Sequence, residues 1–326
     1  LKPVSPPYRA PAWLPGGHAQ TIWPLLIKPR PVPLRRERWA TPDDDFIDID
    51  LLDGPADAPL LVLFHGLEGS SRSHYAIATA QACRRIGWRL ALPHFRGCSG
   101  ELNRRPRAYH SGDSAEIDWI LRRLHQANAG RPLHATGISL GGNALLKWAG
   151  EQGPAARTVV SGVAGICAPL DLAACGHHLA RGFNRLYTRH FLDTLKTRSA
   201  ARLQRFPGLF DETRMRRSRN LWDFDDAVTG PVHGFAGADD YWTRASAKPW
   251  LKTIAVPTLV INPLNDPFLP AAVLPGPAEI SPSVRLEQPT GGGHVGFVSG
   301  AFPGNLDWLP QRLLHFFIYE TPLPSP

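Results

Sequence analysis

Between an apolar run that starts at Leu133 and a helical pattern carrying Leu145, Leu146 and Trp148 stands the pentapeptide Gly137-Ile138-Ser139-Leu140-Gly141. A strand that turns into a helix over so few residues strains the backbone at the turn, and residues two positions to either side must lack bulk. Gly137 and Gly141 fill those positions around Ser139. The helix that starts at Leu140 aims unpaired N–H groups at the serine oxygen, so developing negative charge is favoured there. The pentapeptide alone is common. The strand before it and the helix after it make it read as a nucleophile elbow.

The rest of the chain alternates strands and helices around that turn. Leu60 to Phe64, LLVLF, is a continuous apolar run, the pattern of a strand buried on both faces. Ser73 to Ile86 is helical and Trp88 to Pro93 is a strand. Asp113 to Gln126 is an amphipathic helix with Asp113 as its N-cap and Ile117, Ile120, Leu121 and Leu124 on one face. Thr158 to Ile166, Pro257 to Asn262 and Val284 to Glu287 read as further strands, and Leu306 to Tyr319 as a closing helix. Glu37 to Thr41 and Phe46 to Leu52 form an antiparallel pair joined by Asp43-Asp44-Asp45, a solvated turn. These elements predict an α/β class: a mostly parallel, eight-stranded-type sheet covered by helices on both faces.

Three regions depart from that alternation or frame it. Residues 1–34 are proline-rich and irregular, an arm packed on the core, in which His18 either lines the site or caps a turn. Residues 35–170 and 253–320 make the core. Residues 171–252 are helical and aromatic, and the eleven Arg/Lys against three Asp/Glu between 178 and 219 mark a basic helical cap insertion. Its outer face reads as solvated, with contact to an anionic membrane surface as the alternative. Asp223 to Asp226 and Asp239 to Trp242 read as structural corners of this cap.

Composition narrows the functional classes. The net charge of +8 comes with no nucleic-acid-binding motif, so it reads as arginine spread over exposed faces. Four scattered cysteines without a C-x-x-C predict reduced thiols and a cytoplasmic setting rather than a disulfide scaffold. No uninterrupted apolar stretch is long enough for a membrane span. Neither Cys175-Gly176-His177-His178 nor the acidic turn has the spacing of a metal site, and no cofactor is expected.

Chemistry concentrates where parallel strands end. Ser139, Asp266 and His294 each stand in the loop after a strand, in the chain order Ser, Asp, His of α/β-hydrolases. In that arrangement His294 is the base that activates Ser139, and Asp266 orients and charges the imidazole. His65-Gly66 follows an early strand, so the backbone N–H groups of Leu67 and Leu140 are the candidate oxyanion hole. His65 itself fixes the loop. An Asp nucleophile, as in dehalogenases and epoxide hydrolases, is excluded by Ser139. The remaining alternatives are a lipase or phospholipase, an acyltransferase, and a non-catalytic binding protein of the same fold.

The chain resembles the YheT-like α/β-hydrolases, whose mammalian relatives include acylglycerol lipases and a phospholipase. The resemblance spans about residues 11 to 318. It rests jointly on GGHAQTIW at 16–23, HGLEGSS at 65–71, FRGCSG at 95–100, GISLGGN at 137–143, DFDD at 223–226, NPLNDPF at 262–268 and GGGHVGF at 291–297. It implies a serine carboxylester hydrolase acting on a small-molecule or lipid ester, with Ser139, Asp266 and His294 at the triad positions. His94, where the pattern carries asparagine, is a departure.

Overall fold

The computed structural model describes residues 6–27, 29–128 and 130–321. Eight strands form one sheet: β1 Arg35–Ala40, β2 Phe46–Leu52, β3 Leu60–Phe64, β4 Arg89–Pro93, β5 Leu133–Ile138, β6 Gly162–Ile166, β7 Thr258–Ile261 and β8 Val284–Glu287. Their order is β1-β2-β4-β3-β5-β6-β7-β8. β1 and β2, and β2 and β4, pair antiparallel, and every later pairing is parallel. The chain builds β3 then β4 to one side before crossing to β5 on the other. That reversal between β3 and β5 opens a crevice at the carboxyl ends of the strands.

The continuous apolar runs follow from cover on both faces. Leu60, Val62 and Phe64 pack with Ile117, Ile120, Leu145 and Leu146 from α3 Ser114–Ala127 and α4 Leu140–Gln152. Leu61 and Leu63 face the other way, onto Ala76 and Ala80 of α2 His74–Arg85 and Leu309 and Leu313 of the closing helix Trp308–His315. Each fully buried Leu or Val contributes roughly 2 kcal/mol of transfer free energy. The expected helix caps form: the Asp113 carboxylate accepts from the Glu116 N–H.

Several sequence expectations are corrected. The arm is not irregular throughout, since α1 Gly17–Ile22 forms there, followed by a 3-10 turn at Trp23–Leu25. Residues 1–5 and 28 of that arm lie outside the described residues. The strand expected from Thr158 begins at Gly162, because Pro154 starts a 3-10 turn over Gly153–Thr158. The acidic turn is solvated only in part: Asp44 is exposed, but Asp45 is buried, and Arg96 reaches Asp43 and Asp45 at 2.8 and 2.9 Å. Asp45 also accepts from Asn103 and the Arg104 N–H. A buried cation needs those carboxylates, and Arg96 comes from a loop 51 residues beyond Asp45 that local patterning does not reveal.

Between β6 and β7 the chain is helical: α5 Leu172–Leu179, α6 Asn184–Arg205, α7 Glu212–Arg217, α8 Leu221–Phe224, a π-turn Asp225–Thr229, α9 Gly230–His233 and α10 Ala238–Ala245. It has an apolar cluster of its own around Leu192, Phe210, Met215, Phe224 and Val228. Its acidic-aromatic corners meet each other: Trp242 donates to Asp225 at 2.7 Å and Trp222 to Asp239 at 2.9 Å. Asn143 at the start of α4 ties this segment to the core, donating to the carbonyls of Ser111 and Ala245 and accepting from the Ala247 N–H. No described helix is long and apolar enough to cross a membrane.

Candidate active site

Ser139 joins β5 to α4 with φ 52° and ψ −118°, a conformation costing about 1–3 kcal/mol in a residue with a side chain. Its N–H donates to Ile166 at 2.8 Å, anchoring the turn to β6. The flanking glycines are sterically required. A Cβ on Gly137 would lie 2.3 Å from the Gly141 carbonyl oxygen, and one on Gly141 would lie 2.5 Å from those of Phe64 and His65.

The three residues in loops after β5, β7 and β8 come together. His294 Nδ1 donates to Asp266 Oδ2 at 2.8 Å, which leaves Nε2 as an acceptor 3.0 Å from Ser139 Oγ. Asp266 is buried, and its other oxygen accepts from the Phe268 N–H at 2.8 Å. The Phe268 ring stacks on the imidazole, with centroids 4.0 Å apart, and limits its rotation. The rival acids are elsewhere: Asp239 and Asp240 lie on α10, engaged by Trp222, Ala236 and Arg244.

Leu67 and Leu140 border the same cavity as Ser139. The N–H groups around Leu67 are occupied, Gly66 donating to Tyr75, Glu68 to Tyr109 and Gly69 to the Gly66 carbonyl. Those of Leu67 and Leu140 meet no acceptor among the described residues. A Cβ on Gly66 would sit 3.3 Å from Ser139 Cβ, so the loop after β3 passes directly beside the serine. His65 holds this loop, donating from Nδ1 to Gly66 O at 2.7 Å and accepting the Phe95 N–H at Nε2. Burial pushes its pKa down to about 3, so it stays neutral.

The arm supplies residues that reading the sequence missed. His18 does not line the cavity; it lies 3.1 Å from the Tyr187 hydroxyl and packs on Phe183. Its neighbours reach the site instead. Thr21 Oγ1 accepts the His294 N–H at 2.8 Å. The buried Gln20 Oε1 accepts from the Gly292 N–H at 2.7 Å and from Asn265 at 3.0 Å, and Asn265 in turn accepts the Gly293 N–H. The loops carrying Asp266 and His294 are thus stitched together through α1. The only signal in the sequence was the GGHAQT phrase, without a reason for it.

Cys167, Asp266 and His294 present ligand atoms within 4.8 Å of one another. Burial, and then the charge of Asp266, push the Cys167 thiol well above its ordinary pKa. Its sulfur accepts the Val295 N–H at 3.3 Å. Cys167 therefore supports the acid-histidine pair as a packed neutral group. His94, the departure noted in the sequence, meets Asp50 at 2.8 Å on the far side of β4.

From Ser139 the cavity runs beneath the helical segment, with about 1150 Å³ of space free of protein atoms when its open mouth is included. Leu172, Leu179, Leu195, Leu221, Val228 and Val232 make an apolar wall. The lining also carries the polar side chains of Glu68, Arg198, Arg202, Asp225 and His233.

Comparison with known proteins places this architecture. The family model of the alpha/beta hydrolase fold matches residues 59–301. The chain is similar to the Escherichia coli (strain K12) protein named "Putative esterase YheT", with 39% identity over 306 residues, 91% of this chain and 88% of that one. It is also similar to human phospholipase ABHD3, with 28% identity over 324 residues, 96% of this chain and 79% of that one. Among solved structures, Est1E from Butyrivibrio proteoclasticus with ferulic acid bound shares the fold, with a TM-score of 0.56 at 15% identity, over 86% of this chain and 98% of that one. The chain belongs to the alpha/beta hydrolase fold family and, within it, to the YheT-like group.

Proposed function

We propose, from that membership and the geometry around Ser139, that the chain is a serine carboxylester hydrolase. The observation that carries this reading is the continuous relay from Asp266 through His294 to Ser139, at 2.8 and 3.0 Å, beside two unengaged N–H groups. Ser139 Oγ attacks the ester carbonyl carbon while His294 Nε2 takes its proton. The carbonyl oxygen becomes an oxyanion and accepts from the Leu67 and Leu140 N–H groups, each worth roughly 3 kcal/mol of barrier. The tetrahedral intermediate collapses as the imidazolium protonates the departing alcohol, leaving an acyl group on Ser139. Water attacks that ester, His294 takes its proton, and Ser139 leaves with the proton returned. Asp266 stays ionised and holds the Nδ1–H tautomer. In this reading residues 171–252 act as a cap that roofs the acyl-binding space.

A second reading, a lipase or phospholipase, draws on the apolar wall of the cavity and on exposed Leu25, Leu26, Phe183 and Phe302 around the arm and α6. The deciding assay is hydrolysis of p-nitrophenyl esters from acetate to palmitate, with Ser139→Ala beside the native chain. We expect a loss of about 10⁴-fold or more in the variant. A short-chain optimum favours an esterase, and a long-chain optimum raised by anionic vesicles favours the lipase. Native activity that survives in Ser139→Ala overturns both.

A further inference from the structure

Helix α6 crosses the cavity with Phe191, Leu195, Arg198, Ser199 and Arg202 on its inner face, a spacing that keeps them in one stripe. Phe191 marks the reactive end: it packs on Phe268, which stacks on His294. Arg202 lies about 16 Å further along the helix, at roughly 1.5 Å per residue. The apolar stripe thus ends in two guanidinium groups.

The charges along this lining are matched, with one exception. Arg198 sits 3.1 Å from Glu68 and 2.9 Å from Cys98 Sγ. Arg96 is taken by Asp43, Asp45 and Glu116. The oxygens of Asp225 are taken by Thr229 and Trp242. Burial lowers the pKa of both His110 and His233, keeping them neutral. Arg202 is only 8% exposed, and its guanidinium makes no hydrogen bond or ion pair among the described residues. Its Nη2 rests against the loop after β4, 3.6 Å from where a Cβ on Gly97 would stand.

Its donors open onto the cavity with no carboxylate in contact, Glu68 acting on it only from a distance, and a guanidinium held so is costly because the group does not escape by losing its proton. Its planar fork of donors matches the paired oxygens of a carboxylate or phosphate. We infer that Arg202 receives a carboxylate or phosphate group carried by the ester substrate, and so selects anionic amphiphilic esters over neutral ones. This inference rests on the Ser139 hydrolase reading. The substrate's apolar spacer lies along Phe191 and Leu195, its ester at Ser139 and its anion at Arg202.

The test compares mono-p-nitrophenyl esters of suberic, dodecanedioic and tetradecanedioic acids, the last of which extends over about the length of the stripe, with p-nitrophenyl octanoate, dodecanoate and tetradecanoate. The measured quantity is the ratio of kcat/KM for the anionic ester to that for its neutral counterpart, which does not depend on the fraction of enzyme folded. Octyl phosphate, as an inhibitor of p-nitrophenyl butyrate hydrolysis, forms the phosphate arm. We expect the native ratio to peak at one spacer length and to fall about tenfold or more in Arg202→Met, the effect of one charge-assisted hydrogen bond. Arg202→Lys should retain part of it. A flat ratio with inhibition by octyl phosphate that Arg202→Met abolishes identifies the anion as phosphate. If neither the ratio nor the inhibition responds to Arg202→Met, the inference is overturned. Turnover surviving in Ser139→Ala overturns the hydrolase reading instead. Calorimetric binding of octyl phosphate to Ser139→Ala, with and without Arg202→Met, then tests Arg202 by itself.

Discussion

Thr21 Oγ1 accepts the backbone N–H of His294 at 2.8 Å, across 273 positions of sequence. The same hydroxyl donates to the Gly17 carbonyl at 2.7 Å, so its lone pair is aimed by the helix it caps internally. The loop that carries the histidine is therefore positioned by the arm and not by β8 alone. Its conformation needs that support, because Gly293 and Val295 on either side of the histidine both have positive φ, 58° and 57°.

Thr21→Val removes the acceptor while keeping the shape. One lost hydrogen bond of about 1–1.5 kcal/mol, expressed as looser placement of the imidazole, predicts about a tenfold fall in kcat. KM should change little, since Thr21 lies outside the cavity, and Thr21→Ser should restore the rate. Equal losses in the Val and Ser variants, or a change confined to KM, would contradict a positioning role.

Asp266→Asn tests the tautomer argument. An amide offers its NH₂ to His294 Nδ1, which drives the imidazole proton to Nε2 and removes the base facing Ser139. The expected loss is about 10³- to 10⁴-fold in kcat at neutral pH, with labelling of Ser139 by a fluorophosphonate slowed in parallel. A variant within tenfold of the native rate would show that His294 needs no carboxylate partner.

The residues that line up as a relay were legible because each carries a local signal: an apolar strand, then a glycine- or proline-marked loop. The parallel core was legible for the same reason, and LLVLF at Leu60–Phe64 is a strand with those bounds. What escaped depends on contacts between distant segments. Gln20 and Thr21 look like ordinary arm residues until α1 packs on the loops after β7 and β8. Asp45 looks solvated until Arg96 arrives from the loop after β4 and buries it. Arg202 is one basic residue among eleven between 178 and 219, and charge counting placed that group on a solvated face. Only the packing of α6 distinguishes it from its exposed neighbours.

Asp225 lets burial be read as a pH effect. Its carboxyl lies half-buried on the cavity lining within the helical segment, and desolvation raises its pKa from 3.8 to about 6 despite the donors on Thr229 and Trp242. A pKa raised on folding means that the contribution to stability is complete below the unfolded value and is lost as pH rises through the folded one. The native chain should therefore lose stability between about pH 4 and pH 6 relative to Asp225→Asn, which cannot ionise. Two pKa units correspond to roughly 3 kcal/mol. Denaturant unfolding of both proteins at pH 4 and pH 7.5 measures the difference. Asp225→Asn should gain on the native chain at pH 7.5 by up to about that amount more than at pH 4. The amide oxygen can still accept from Trp242, so the gain is not masked by a lost bond. An effect of the substitution that is the same at both pH values would mean that Asp225 folds with an ordinary carboxylate pKa and that the cavity wall around it is wetter than its burial implies.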